Sequence, residues 1–251
     1  MRIFFLNLLV GYFFFWGTTS FSQNFSPGEM ISIFEAAETL KNPFDKASTL
    51  FVCVGQSPSV VAAAMSLDSE LHQVFLPISE LRTSGVKLNK INKELTKRLN
   101  SHLEKFLVIP NGIKKIVLYD VVYSGTSAEL TRDYVENYLR TKNITLEVQS
   151  AIFSDLGTDG YIETAKELNA ILVPIDQKLH GRIWNGDFKE FAPYGRAKVF
   201  DLKAPLPDPA KPRDSYSGLV NLLRNSQIQM TLPCRRLLQN IKLSNSPTFN
   251  F

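Results

Sequence analysis

Histidine, cysteine and tryptophan are scarce: the 251 residues hold three, two and two of them. The cysteines, Cys53 and Cys234, are too few for a disulfide scaffold, and Cys53 falls in an apolar run that suits a buried thiol. His72, His102 and His180 are scattered. No spacing among them, or with cysteines and acids, suggests a zinc site, so no metal ligands are assigned. No serine sits in a G-x-S-x-G elbow, and there is no internal repeat. Dense charge is absent too. Lys+Arg number 28 and Asp+Glu 24, a net +4 without a basic block, which gives no case for nucleic acid. Long apolar runs are confined to one place, the N-terminus.

That run is residues 3–16, IFFLNLLVGYFFFW, uncharged and preceded by Arg2. Gly17, Thr18, Thr19, Ser20, Phe21 and Ser22 follow, with Ser20 and Ser22 at the −3 and −1 positions of a cleavage site. The pattern is that of a secretory signal peptide. It is shorter than the roughly 20 residues that span a bilayer, so no stable membrane anchor is expected. Cleavage after Ser22 removes one charge, Arg2, and leaves 27 Lys+Arg against 24 Asp+Glu. The expected location is exported, periplasmic or secreted.

The rest of the chain alternates. Residues 26–41 read as a helix, with Ser26 as N-cap, Pro27 at the first helical position and Glu29 completing a capping box. Thr49–Val54 is a continuous apolar run of the buried parallel-strand type. A small-residue helix over 59–67 and a strand over 74–78 follow; Ser57-Pro58 suits either an N-cap with proline at the first helical position or, with Gly55, an anion-binding loop, and one serine can do both. An amphipathic helix is predicted over 86–107, its apolar stripe running through Leu88, Ile91, Leu95, Leu99, Leu103 and Phe106. Then come a strand over 114–122, a helix over 126–140, a strand over 145–153, a helix over 158–168 and a strand over 170–175. Such alternation predicts an α/β fold: a parallel sheet of about five strands with helices on both faces. After Ile175 the texture is irregular, with His180–Trp184 read as loop. Pro205, Pro207, Pro209 and Pro212 make a linker, and residues 216–227 and 231–242 read as short helices. The expected organisation is a signal peptide over 1–22, an α/β domain over 23–203, and a C-terminal irregular and helical appendage over 204–251.

The most specific stretch is Ile116–Ser127, IVLYDVVYSGTS. An apolar strand carries Asp120 near its end, a hydroxyl-rich turn follows, and a helical pattern starts at once. A turn of this kind offers backbone N–H groups and hydroxyls to an anion at the positive end of a helix. A carboxylate at a strand's carboxyl end lies where α/β sheets place ligands. The same residues suit a plain βα turn, with Ser or Thr capping the helix. An anion-suited loop also follows the first strand, Gly55-Gln56-Ser57, and Arg182 is a further candidate for phosphate.

The stretch resembles the phosphoribosyl-diphosphate signature of type I phosphoribosyltransferases, in which an apolar strand ends in two acids and a Ser/Thr-Gly-x-Thr/Ser loop holds the 5′-phosphate. Asp120 matches the second acid; Ser124, Gly125, Thr126 and Ser127 match the loop. Tyr119 stands in place of the first acid, and Tyr123 in place of an acid that many members carry just before the loop. The resemblance implies a phosphoribosyltransferase-like fold. It also implies a phosphorylated ribose or nucleotide as partner, with Asp120 on the ribose hydroxyls and as candidate catalytic group. Gly55, Gln56 and Ser57 would lie on the diphosphate, and magnesium would accompany a diphosphate substrate. The alternative is a non-catalytic binding or interaction module that keeps the fold and has lost transfer chemistry.

Overall fold

The computed structural model describes residues 25–78, 93–121, 126–155, 159–195, 197, 198, 201 and 203–229. The signal-peptide expectation, the turn Val122–Gly125, the first part of the predicted helix over 86–107, and the predicted helix over 231–242 with Cys234 lie outside them.

Helix α1 spans Pro27–Lys41, and its start follows the sequence. The Ser26 N–H donates to Glu29 Oε2 at 2.7 Å, and the Glu29 N–H donates to Ser26 Oγ at 3.3 Å. This reciprocal box satisfies two N–H groups that a helix start otherwise leaves open. The strands are β1 (Thr49–Val54), β2 (His72–Leu76), β3 (Lys115–Val121), β4 (Glu147–Ser154) and β5 (Ile171–Pro174). They form one all-parallel sheet in the order β2-β1-β3-β4-β5. Helices α2 (Ser59–Met65), α3 (Lys93–Phe106), α4 (Thr126–Thr141), α5 (Asp159–Glu167), α6 (Gln177–Asn185) and α7 (Asp214–Gln229) complete the described elements.

The strands are apolar on both sides because both faces are covered. Phe51, Cys53, Val117, Tyr119, Ala151 and Phe153 face one core, which α1, α2, α6 and α7 fill with Ile33, Leu40, Val60, Leu179 and Leu219. Leu50, Val52, Ile116 and Leu118 face the other, filled from α3 and α4 by Leu99, Leu103, Val135 and Leu139. Ile152 packs with Ala128, Ala165 and Leu168 in a smaller cluster beside α4 and α5. No helix among the described residues is long and apolar enough to cross a membrane.

Three local expectations are corrected. Ser57 does not cap α2: the helix starts at Ser59, Pro58 occupies the cap position without a side-chain bond, and Ser59 Oγ donates to the Gln56 carbonyl at 2.8 Å. The residues after Ile175 are not irregular but form α6. Asp176 accepts from the Lys178 and Leu179 N–H groups at 3.0 and 3.1 Å, and Gly186, at φ 80°, ends the helix. Its internal Gly181 costs helix stability, and packing of Leu179 and Ile183 into the core overrides that cost. The helix after the Pro-rich stretch returns to the sheet: Leu219 and Leu223 are fully buried, Tyr216 Oη lies 2.7 Å from Ser66 Oγ, and its ring meets Phe75 edge-on.

Candidate functional site

In a sheet of order 2-1-3-4-5 the chain leaves β1 and β3 toward opposite sides, and the crevice between their carboxyl ends is where such sheets take ligands. Both loops singled out in the sequence leave these two strands. The pairs Val52–Leu118 and Cys53–Tyr119 set β1 and β3 side by side and parallel, so Gly55 and Val121 emerge at the same level of one edge.

Asp120 is the penultimate residue of β3. Its side chain lies on the same side of the sheet as Leu118, toward α4, because strand side chains alternate. The residue is half-buried. Protein surrounds the carboxyl closely enough that burial pushes it up to about 8, while the hydrogen bond from the Val121 N–H, at 2.7 Å to Oδ1, pulls the other way. Near neutral pH it is largely a neutral acid, able to donate as well as accept. Helix α4 begins at Thr126 and gives this edge the N-terminus of a 16-residue helix. Ser127, half-buried, accepts from Thr131 Oγ1 through its carbonyl at 2.7 Å.

Gly55 is explained by the backbone. Its φ is +72°, its N–H donates to the Leu76 carbonyl at 2.9 Å, and a Cβ there would lie 3.3 Å from the Ile78 carbonyl oxygen. The turn is pressed against the exit of β2, which only glycine tolerates without strain. Gln56 Nε2 donates to the Tyr194 carbonyl at 3.0 Å, which ties the loop to the segment after α6. Ser57 is half-buried in the turn.

Tyr119 and Arg182 have structural tasks. Tyr119, at the position where the resembling family carries its first acid, is fully buried on the other face. It meets Phe153 edge-on at 6.0 Å and accepts from Gln73 Nε2 at 3.0 Å. Arg182 lies in α6, where its guanidinium donates to Glu29 Oε1 at 2.9 Å and Asp187 Oδ2 at 3.2 Å and covers the Phe188 ring at 4.6 Å. Its charge is already matched by two carboxylates.

The same edge holds a pair that sequence reasoning missed. Asp155 directly follows β4, and its Oδ2 lies 3.6 Å from Nδ1 of His180 on α6. Tyr161 of α5 meets the imidazole edge-on at 5.3 Å. The available signal was an acid at a strand's carboxyl end, the feature that drew attention to Asp120. His180 was hidden because its helix was read as loop. Two concavities lined by described residues lie away from this edge. One of about 450 Å³ sits at the amino end of β4 beside Arg140 and Ile144, the other of about 300 Å³ between Glu38, Lys41 and Asp68. Among the described residues no three His, Cys, Asp or Glu side chains converge as metal ligands. Compared with protein-family models, curated proteins and solved structures, the chain matches none.

Proposed function

We propose that the carboxyl edge of the sheet binds a phosphorylated ribose or a nucleotide, as the resemblance to type I phosphoribosyltransferases implies. The carrying observation is the exit of the Gly55 and Asp120 strands side by side at the switch point of a 2-1-3-4-5 sheet. In this reading Ser124–Ser127 hold the 5′-phosphate at the N-terminus of α4, and Asp120 takes the ribose hydroxyls. Gly55–Ser57 line the opposite wall. The fit to an exported protein is a ligand met outside the cell or in a second compartment, with phosphoribosyl transfer as the activity if chemistry is retained. The burial of Tyr119 favours the second reading, a binding or interaction module without transfer, because that side chain cannot act as the missing acid.

Calorimetric titration of the purified protein with ribose 5-phosphate and nucleoside monophosphates tests the reading. Gly125→Val should abolish binding while leaving the fold intact, since its side chain would occupy the phosphate's space. Above about pH 8, where the Asp120 carboxyl is ionised, Asp120→Asn should weaken ribose recognition by on the order of 1–3 kcal/mol and keep the phosphate contacts. Wild-type protein that binds none of these ligands at millimolar concentration would leave the interaction module standing.

A further inference from the structure

After α6 the chain changes sides of the sheet. Phe188 and Phe191 lie in the core that α1, α2 and α7 share. Ala197, fully buried, and Tyr194 and Leu206, partly buried, pack in the other core with α3 and α4. Leu219 of α7 is back in the first. The crossing is made at the carboxyl edge, where Gln56 Nε2, in the loop after β1, donates to the Tyr194 carbonyl at 3.0 Å. The Tyr194 ring meets Phe106 of α3 edge-on at 5.2 Å, and its hydroxyl donates to the Pro209 carbonyl at 3.1 Å. Arg98 of α3 completes the arrangement: its Nη2 donates to the carbonyls of Lys198 at 3.3 Å and Ala204 at 2.5 Å. Tyr194, Ala197, Lys198 and Ala204 thus belong to a strap tied to α3 on one side and to the β1 loop on the other.

The strap packs on the side of the sheet to which Asp120 points, and the loop it holds is one strand away. Cys53 pairs with Tyr119, so Gly55–Ser57 leaves the sheet beside the end of β3, at a strand spacing of about 5 Å. The loop is gripped from two directions. Gly55 is bonded to the exit of β2 through the Leu76 carbonyl, and Gln56 to the strap. A guanidinium that takes two carbonyls fixes a segment in two places at once, and bonds from a charged donor are the stronger kind. A loop that offers backbone N–H groups to an anion binds well only when it is held in place beforehand. We propose that Arg98 is a positioning residue: acting through the strap, it holds the Gly55–Ser57 loop in the conformation that takes the diphosphate of a phosphorylated ribose. Gln56 serves as the anchor of that loop. The inference rests on the phosphoribosyl reading above and assigns how one wall of that site is built.

Calorimetry with two probes tests it: ribose 5-phosphate, and phosphoribosyl diphosphate with magnesium. Wild-type protein should bind the diphosphate more tightly. Arg98→Met, which keeps the apolar stem, should lose about tenfold in affinity for the diphosphate and hold ribose 5-phosphate as before. Gln56→Leu should show the same selective loss, and Arg98→Lys, which keeps one donor, should restore part of it. The double variant should lose no more than the worse single one, because both residues act through one strap. Trypsin should cut after Lys198 and Lys203 faster in Arg98→Met than in wild type. Equal losses for the two probes, additive losses, or unchanged cleavage would overturn the inference alone, as would a wild type that gains nothing from the diphosphate. A wild type that binds neither probe would overturn the underlying reading, and this inference with it.

Discussion

Asp120 carries the clearest consequence at the scale of single residues. A carboxyl with an unfolded pKa near 3.8 and a folded value of about 8 binds its proton more tightly in the native state. Native stability therefore falls as pH rises from about 4 to about 8, because the unfolded chain ionises this carboxyl while the folded protein keeps its proton, and it levels off above that. Asp120→Asn removes the titration. Urea unfolding at pH 8.5 should find the variant more stable by roughly 1–3 kcal/mol, the scale of an uncompensated polar burial, and the advantage should vanish only below about pH 4, where the unfolded carboxyl is protonated too. Parallel stability profiles for the two proteins would show that the carboxyl is solvated in the native state. Gly55 gives a second test. With φ at +72° and the Ile78 carbonyl 3.3 Å from any Cβ, Gly55→Ala should cost about 1–2 kcal/mol in the same measurement. A neutral outcome would mean that the turn relaxes.

Between elements, the tie from α1 to α6 decides how the far end of the edge is held. Glu29 is almost fully buried; burial alone would raise its pKa, but the Ser26 N–H and the Arg182 guanidinium hold it below the ordinary range. Its contribution is present at neutral pH and is lost as pH falls through the depressed folded value. Phe25 stacks on Phe188 at 4.9 Å under the same guanidinium, which ties the segment before α1 to α6. Arg182→Met strips the partner from a buried carboxylate and should cost about 3 kcal/mol at pH 7. Adding Glu29→Gln should recover much of that loss, as thermal or urea unfolding would record. If the double variant were no better than the single, packing over Phe188 would be the larger contribution, since an Arg stem also covers apolar surface.

At the level of the whole molecule, the expected cleavage point lies just ahead of the capping box of α1. Cleavage after Ser22, the expected site, would fall just before Gln23, and Phe25 stacks on Phe188. A signal peptidase working there would release a chain whose first helix cap, Ser26, is intact. The mature chain is expected to begin at or near Gln23, which intact mass of protein recovered from the export fraction checks. Recovery of residues 1–22 in a membrane-bound form would overturn the assignment. The C-terminal end behaves differently from a loose attachment as far as Gln229, because Leu219 and Leu223 complete the core that α1 and α2 begin.

Periodicity and composition determined the order of elements, the parallel sheet and the capped start of α1, because buried strands and capping boxes are local patterns that tertiary context did not override. The same local logic marked Asp120 and Gly55. It failed at α6, where Gly181 signals a break that burial of Leu179 and Ile183 outweighs. At Ser57 it left capping and binding open, since nothing in sequence says whether a helix begins at Pro58 or Ser59. Only the tertiary structure decided what each candidate side chain does. Tyr119 turned into the core because strand side chains alternate and its face was the one that α1, α2, α6 and α7 cover. Arg182 met Glu29, 153 residues away, while His180 met Asp155 across the ends of two elements. Such pairings are set by how helices dock on a sheet, and docking sums contacts that are distant in the chain.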